Sequence, residues 1–271
     1  NGLLDPVVAR VRVRNSAGEE SAFDGEAFVR ASAPLPPDRA FRTRPLDLGA
    51  LKPLGAQGKR AGEGIRFRQK SQFLQWAAAG QTIRLAFSNA PVHWYAGPRY
   101  SGPLKVEVWG PSRTVVAEFG IPFNSEFPFT LDARETGVYR FAIDARMQTA
   151  CVVSDAPGHG VAADESLYLF GCSGRLYFYV PAGVRRIRVE AGGVSQEPST
   201  VHLLDPAGER ADSGVGLEGS RILGFDRPEG APAEIWSVQF SAGKLYLRIG
   251  APLMPIFSSD PANLLVTTAE P

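Results

Sequence analysis

The residues best suited to chemistry lie in one stretch, Asn89-Ala-Pro-Val-His93-Trp94-Tyr95-Ala-Gly-Pro98-Arg99-Tyr100-Ser-Gly-Pro103. It holds three aromatics, a histidine and an arginine, set among three prolines and two glycines. Sugar rings present flat C–H faces that stack on aromatic side chains, while Tyr, Arg and His groups bond sugar hydroxyls. Bracing by proline lowers the cost of ordering such a loop on binding. The stretch therefore reads as a surface for a polysaccharide or other glycan, built from Trp94, Tyr95 and Tyr100 with Arg99 and His93 as polar partners. Two other uses fit the same residues: Trp94 and Tyr95 packed between domains or under the N-terminal segment, or a protein–protein surface, where Trp, Tyr and Arg are favoured.

Other groupings carry less. Ser154-Asp155-Ala-Pro-Gly158-His159-Gly160 holds a serine, an acid and a histidine, but a catalytic triad is defined by geometry and no Gly-x-Ser-x-Gly elbow is present. No catalytic residue is assigned. Asp155, Asp164 and Glu165 are candidate ligands for a structural calcium ion, which needs six or more oxygens that no Asp-rich run supplies; no metal site and no other cofactor is assigned. Glu118 and Glu126 flank an apolar turn segment, and nothing in their spacing puts them on one face, as a glycosidase pair requires. Gly214-x-Gly216-x-x-Gly219 lacks the strand–helix context of a dinucleotide fingerprint and reads as a loop. Cys151 and Cys172 either close one disulfide or stand as separate buried thiols. With His93, His159 and His202 widely spaced, they make no structural zinc site.

The elements that must position these residues are strands. The 22 prolines and 29 glycines are spread along the chain and punctuate short apolar stretches, an all-β pattern. The best helical segment is Gln72–Ala79, ended by Gly80. The chain also repeats. Phe73-Leu-Gln-Trp-Ala-Ala-Ala-Gly80 corresponds to Leu176-Tyr-Phe-Tyr-Val-Pro-Ala-Gly183. Val106-Glu-Val-Trp-Gly-Pro111 corresponds to Val201-His-Leu-Leu-Asp-Pro206. Gly137-Val-Tyr139-Arg-Phe-Ala-Ile143 corresponds to Glu234-Ile-Trp236-Ser-Val-Gln-Phe240. The anchors keep their order at the spacing of one β-sandwich. The sequence thus predicts two tandem antiparallel β-sandwiches, jelly-roll or Ig-like, over 51–150 and 151–271. Residues 1–50 form an N-terminal hairpin and an extended proline-rich segment, a linker or a cover for an edge strand. The first copy is longer between its turn glycine and its turn proline, and the extra residues fall in the 89–103 stretch, where function concentrates in loops.

With 271 residues, 29 Lys plus Arg and 28 Asp plus Glu, the net charge is +1, which excludes a strongly basic nucleic-acid binder. No apolar run approaches the length of a membrane span. The chain starts at Asn1 without a charged-then-apolar leader and reads as a processed or excised piece. A proline-rich all-β chain with few cysteines points to a secreted or cell-surface location.

The second copy, with Leu-Tyr-Phe-Tyr-Val-Pro-Ala-Gly, Val-His-Leu-Leu-Asp-Pro-Ala-Gly and Ile-Trp-Ser-Val-Gln-Phe, resembles C-terminal β-sandwich modules of secreted bacterial carbohydrate-processing proteins, of the pre-peptidase C-terminal type, over about residues 167–263. That resemblance implies an exported accessory module and carries over no catalytic residue. Trp-Tyr-Ala-Gly-Pro-Arg-Tyr resembles a strand of jelly-roll polysaccharide lyases, which use a Tyr and a His beside an Arg; Tyr95, Tyr100, His93 and Arg99 match by type, while the Lys of that motif and its Gln-x-His element are missing. The expectation is a non-catalytic accessory or carbohydrate-binding region joined to neighbouring domains of a larger chain. The alternatives are a β-sandwich lyase or glycoside hydrolase, and a purely structural spacer.

Overall fold

The computed structural model describes residues 11–14, 20–23, 41–55, 64–91, 101–154, 156–194 and 198–267. The chain divides into two compact units, residues 1–41 and 42–271. In the first, β1 (Val11–Arg14) and β2 (Glu20–Phe23) form an antiparallel hairpin with Val11 opposite Phe23. The partner strand is Glu20–Phe23; the sequence also reads Glu26–Ala31 as a returning hairpin strand, and those residues lie outside the described ones.

The second unit is all-β, with antiparallel sheets paired as sandwiches. Its strands begin with β3 (Leu51–Pro53), β4 (Ile65–Arg68), β5 (Lys70–Ala77), β6 (Thr82–Ala90), β7 (Leu104–Trp109) and β8 (Val115–Ile121). Next come β9 (Ser125–Asp132), β10 (Gly137–Asp144), β11 (Thr149–Ser154) and β12 (His159–Ala162). The second copy supplies β13 (Leu167–Val180), β14 (Arg186–Gly193), β15 (Ser199–Leu204), β16 (Arg210–Leu217), β17 (Ser220–Asp226) and β18 (Glu234–Ile249). Two short strands close the chain, β19 (Ile256–Phe257) and β20 (Leu265–Thr267).

Both copies weave their strands alike. The first has the order β5-β10-β7-β8 and the second β13-β18-β15-β16. Even the register repeats: Trp76 faces Val138 as Tyr179 faces Ile235, and Trp109 faces Arg140 as Leu204 faces Ser237. The connections from β5 to β6 and from β13 to β14 turn at Gly80 and Gly183, both at positive φ (83° and 75°), where a β-carbon is strained. Gln72–Ala79, the best helical segment, is instead mostly strand β5. Ser71, Phe73, Gln75 and Ala77 point inward at alternate positions, and that period of two decides against helix. Gly214 and Gly216, read as loop, belong to β16, and Gly219 turns the chain into β17.

The first sandwich faces β12-β5-β10-β7-β8 against β4-β11-β6-β9. Strand β11 pairs with β4 and β6, and β12 pairs with β5, so its sheets include residues through Ala162. Phe141 lies at its centre, its ring 5.7–6.2 Å from those of Phe73, Phe87 and Phe129. In the second copy β13 and β18 are long enough to serve both sheets: β18 pairs with β15 over Ser237–Ser241 and with β14 over Leu245–Ile249. Strands switch sheets at such bends, and Gly171, at φ 57°, supplies the one in β13.

One more layer matters for the site. Residues 42–53 and the C-terminal stretch return over the outer face of the sheet β19-β12-β5-β10-β7-β8, where β3 pairs with β20. Leu46, Leu48, Leu51, Met254 and Leu265 bury Leu74, Trp76, Val138 and Ala162. Gly158 is needed there, because a β-carbon on it would strike the Pro53 ring. Residues 42–53 thus cover part of a sheet face, and the C-terminal stretch adds strands β19 and β20.

Candidate functional site

The uncovered half of that outer face is a cleft. Its floor and walls come from alternate residues of β5, β10 and β7, because in a strand every second side chain faces the same side. The antiparallel register sets them in rows. Leu74, Arg140 and Trp109 form the first row, Gln72, Ala142 and Glu107 the second, and Lys70, Asp144 and Lys105 the third. On edge strand β8, Glu118 extends the second row and Gly120 the third. Ala142 keeps the middle low, and Gly120 leaves the sheet edge open.

The cleft has a volume of about 480 Å³, with Asp164, Glu165 and Ser166 closing its β12 side. Trp109 is half-buried, and the Arg140 guanidinium lies 4.9 Å from its ring centroid. That cation–π contact holds both side chains in place. Arg140 Nε and Gln72 Oε1, from two residues that line the cleft, are buried without a hydrogen-bond partner. Lys105 Nζ bridges Glu118 at 2.9 Å and Glu107 at 3.4 Å, and hydrogen bonding to Glu118, then to Glu107, raises its pKa. It relieves the repulsion of two glutamates directly opposite one another.

A second depression of about 550 Å³ continues from the first, sharing Lys70, Asp144, Glu165 and Ser166. It ends at half-buried Tyr168 and exposed Met147.

Trp94, Tyr95, Tyr100, Arg99 and His93 lie outside the described residues. What is described is the foot of their loop. Asn89 and Gln148 are both buried and donate to the Gly102 carbonyl at 3.1 and 2.6 Å, and Asn89 also donates to the Ile121 carbonyl. The chain then enters β7, whose second residue, Lys105, lines the cleft.

The other sequence candidates are dispersed or occupied. Ser154 Oγ donates to Gln75 Oε1 at 2.5 Å, and His159 Nδ1 donates to the Ala156 carbonyl at 2.8 Å, so the serine proton is committed to Gln75 and not to the imidazole. His159 is buried, stacks on Phe73, and has its pKa lowered chiefly by desolvation. Asp155 lies outside the described residues, and no group of three or more His, Cys, Asp or Glu among the described residues could hold a metal ion. Asp164 and Glu165, offered as calcium ligands, instead line the cleft. Glu118 and Glu126 sit on different sheets, on β8 and β9. The expected Cys151–Cys172 disulfide is not formed among the described residues. Strand β4 stands between β11 and β13, the strands that carry the two cysteines. The Cys151 thiol fills the space left by Gly64. No helix among the described residues is long and apolar enough to cross a membrane.

Trp109 and Arg140 were missed as site residues, although both fall inside the repeat motifs. The alternation Lys105-Val106-Glu107-Val108-Trp109 was the available signal, since it puts two charges and a tryptophan on the face opposite two valines.

No protein-family model and no curated protein matches the chain. Among solved structures it shows a distant likeness to the M60 catalytic domain with the CBM51-1 and CBM51-2 domains of Clostridium perfringens ZmpB, with a TM-score of 0.24 and 6% sequence identity. The match covers 91% of this chain and 40% of that one, so the chain spans well under half of the protein it is compared with.

Proposed function

We propose that this chain is a non-catalytic, glycan-binding region of a larger secreted or cell-surface protein, with its binding surface on the outer face of the first sandwich. The observation that carries the reading is the half-buried Trp109 ring, fixed by Arg140, in a cleft also lined by Gln72, where Arg140 Nε and Gln72 Oε1 have no hydrogen-bond partner. An aromatic plate flanked by unpaired donors and acceptors suits a ligand that offers C–H faces and hydroxyls together. Trp94, Tyr95, Tyr100, Arg99 and His93 belong to the same reading, because their loop runs directly into the strand that carries Lys105 and Trp109.

Affinity gel electrophoresis tests it, with galactomannan, xylan, mixed-linkage glucan, glycol chitin and polygalacturonate in the gel. At least one polymer retards the protein, Trp109→Ala abolishes the retardation, and Trp94→Ala weakens it. Unretarded migration in every gel, or full retardation of Trp109→Ala, overturns the reading.

A further inference from the structure

We infer that the cleft takes a neutral, linear oligosaccharide laid across both of its arms, gripped at Trp109 and Tyr168; the inference rests on the glycan reading and specifies its ligand. The two depressions, about 480 and 550 Å³, share four lining residues and so form one path. Each alone is large enough for a compact small ligand, so a ligand filling both is longer than one ring. The path has an aromatic at either end, Trp109 in the first arm and Tyr168 in the second. At the sheet edge the third row stops at Gly120, exposed and without a side chain, which leaves room for a chain to continue.

Charge decides between neutral and acidic chains. The two arms together present Lys70, Lys105, Arg140 and Arg146. Against them stand Glu107, Asp144, Asp164 and Glu165. Lys105 is already held between Glu107 and Glu118, and the Arg140 guanidinium rests on Trp109. A polyanion would meet as many carboxylates as cations and gain no net attraction. A neutral chain loses nothing to these carboxylates, which accept hydrogen bonds from its hydroxyls.

The test is calorimetric titration with ladders of manno-, xylo-, cello- and chito-oligosaccharides, and with oligogalacturonides as the acidic counterpart. In one neutral ladder, affinity rises by about tenfold or more, roughly 1.4 kcal/mol, between the disaccharide and the hexasaccharide, then levels off. Tyr168→Ala removes that rise. Met147→Glu, at an exposed site in the same arm, does the same if Tyr168→Ala does not fold. Equal affinity along the ladder, or an oligogalacturonide that binds tighter than every neutral chain, overturns the inference while the glycan reading stands. Absence of binding by every ladder and by every polymer in the gels overturns both.

Discussion

The two sandwiches share a weave and differ in what they show to solvent. Across the first, β7 and β10 present Lys105, Glu107 and Trp109 beside Arg140, Ala142 and Asp144. At the same places β15 and β18 present Thr200, His202 and Leu204 beside Ser237, Gln239 and Ser241. Leu204 and Ser237 are buried where Trp109 and Arg140 stand half-exposed. Inner positions follow one rule in both copies, because they must fill a closed layer at crystal-like density. Outer positions are released from that rule. The half-exposed Trp109, held by Arg140, is the feature on which the proposed ligand reading rests.

The comparison can be broken at several points. The largest effect belongs to the shared inner layer. Phe141→Ala should cost about 3–5 kcal/mol in denaturant unfolding, as it empties the site where three other phenylalanine rings meet. Next is the outer pair itself. Leu204→Ala should cost about 2–5 kcal/mol and leave glycan retardation intact, whereas Trp109→Ala should abolish retardation while shifting the Tm by no more than about 4 °C. If both variants lose only stability, the two outer faces are equivalent and the contrast drawn above is mistaken.

A smaller effect concerns an inner position where the copies differ in polarity. Gln75 occupies the place of Phe178, and its amide nitrogen donates to the Trp76 and Pro157 carbonyls at 2.9 and 3.0 Å while its oxygen accepts from Ser154. Gln75→Ala should cost about 1–3 kcal/mol by stranding those groups, measured by urea unfolding. The smallest is a pH effect beside it. Burial lowers the His159 pKa from 6.5, so the folded protein holds the ring neutral. Below that value the unfolded chain binds the proton more readily, and stability falls as pH drops from about 6.5 towards the depressed folded pKa. Thermal melts from pH 8 to pH 5 should show this acid-side loss, and His159→Phe should flatten it.

Much of the fold was legible because it rests on local rules. Alternation in Gly137–Ile143 and Glu234–Phe240, turn glycines at 80 and 183, and the order of the repeat anchors all express short-range sterics and a period of two. The same rule, applied to Gln72–Ala79, would have favoured strand over helix. The cleft was not legible in that way. Lys70, Lys105 and Arg140 are far apart in sequence and meet only because β10 lies between β5 and β7. Which half of the sheet stays open depends on where Leu51 and Leu265 come to rest, a consequence of chain return that no window of residues contains. Nor could spacing reveal that the strand carrying Arg66 would lie between those carrying Cys151 and Cys172.

The most direct test gives the first copy the residues of the second. Trp109→Leu combined with Arg140→Ser makes the outer face of the first sandwich match Leu204 and Ser237 at its defining row. The account predicts that this double variant, run beside the wild type in gels containing each glycan, migrates unretarded while its thermal melt remains cooperative. Undiminished retardation of a folded double variant would contradict it.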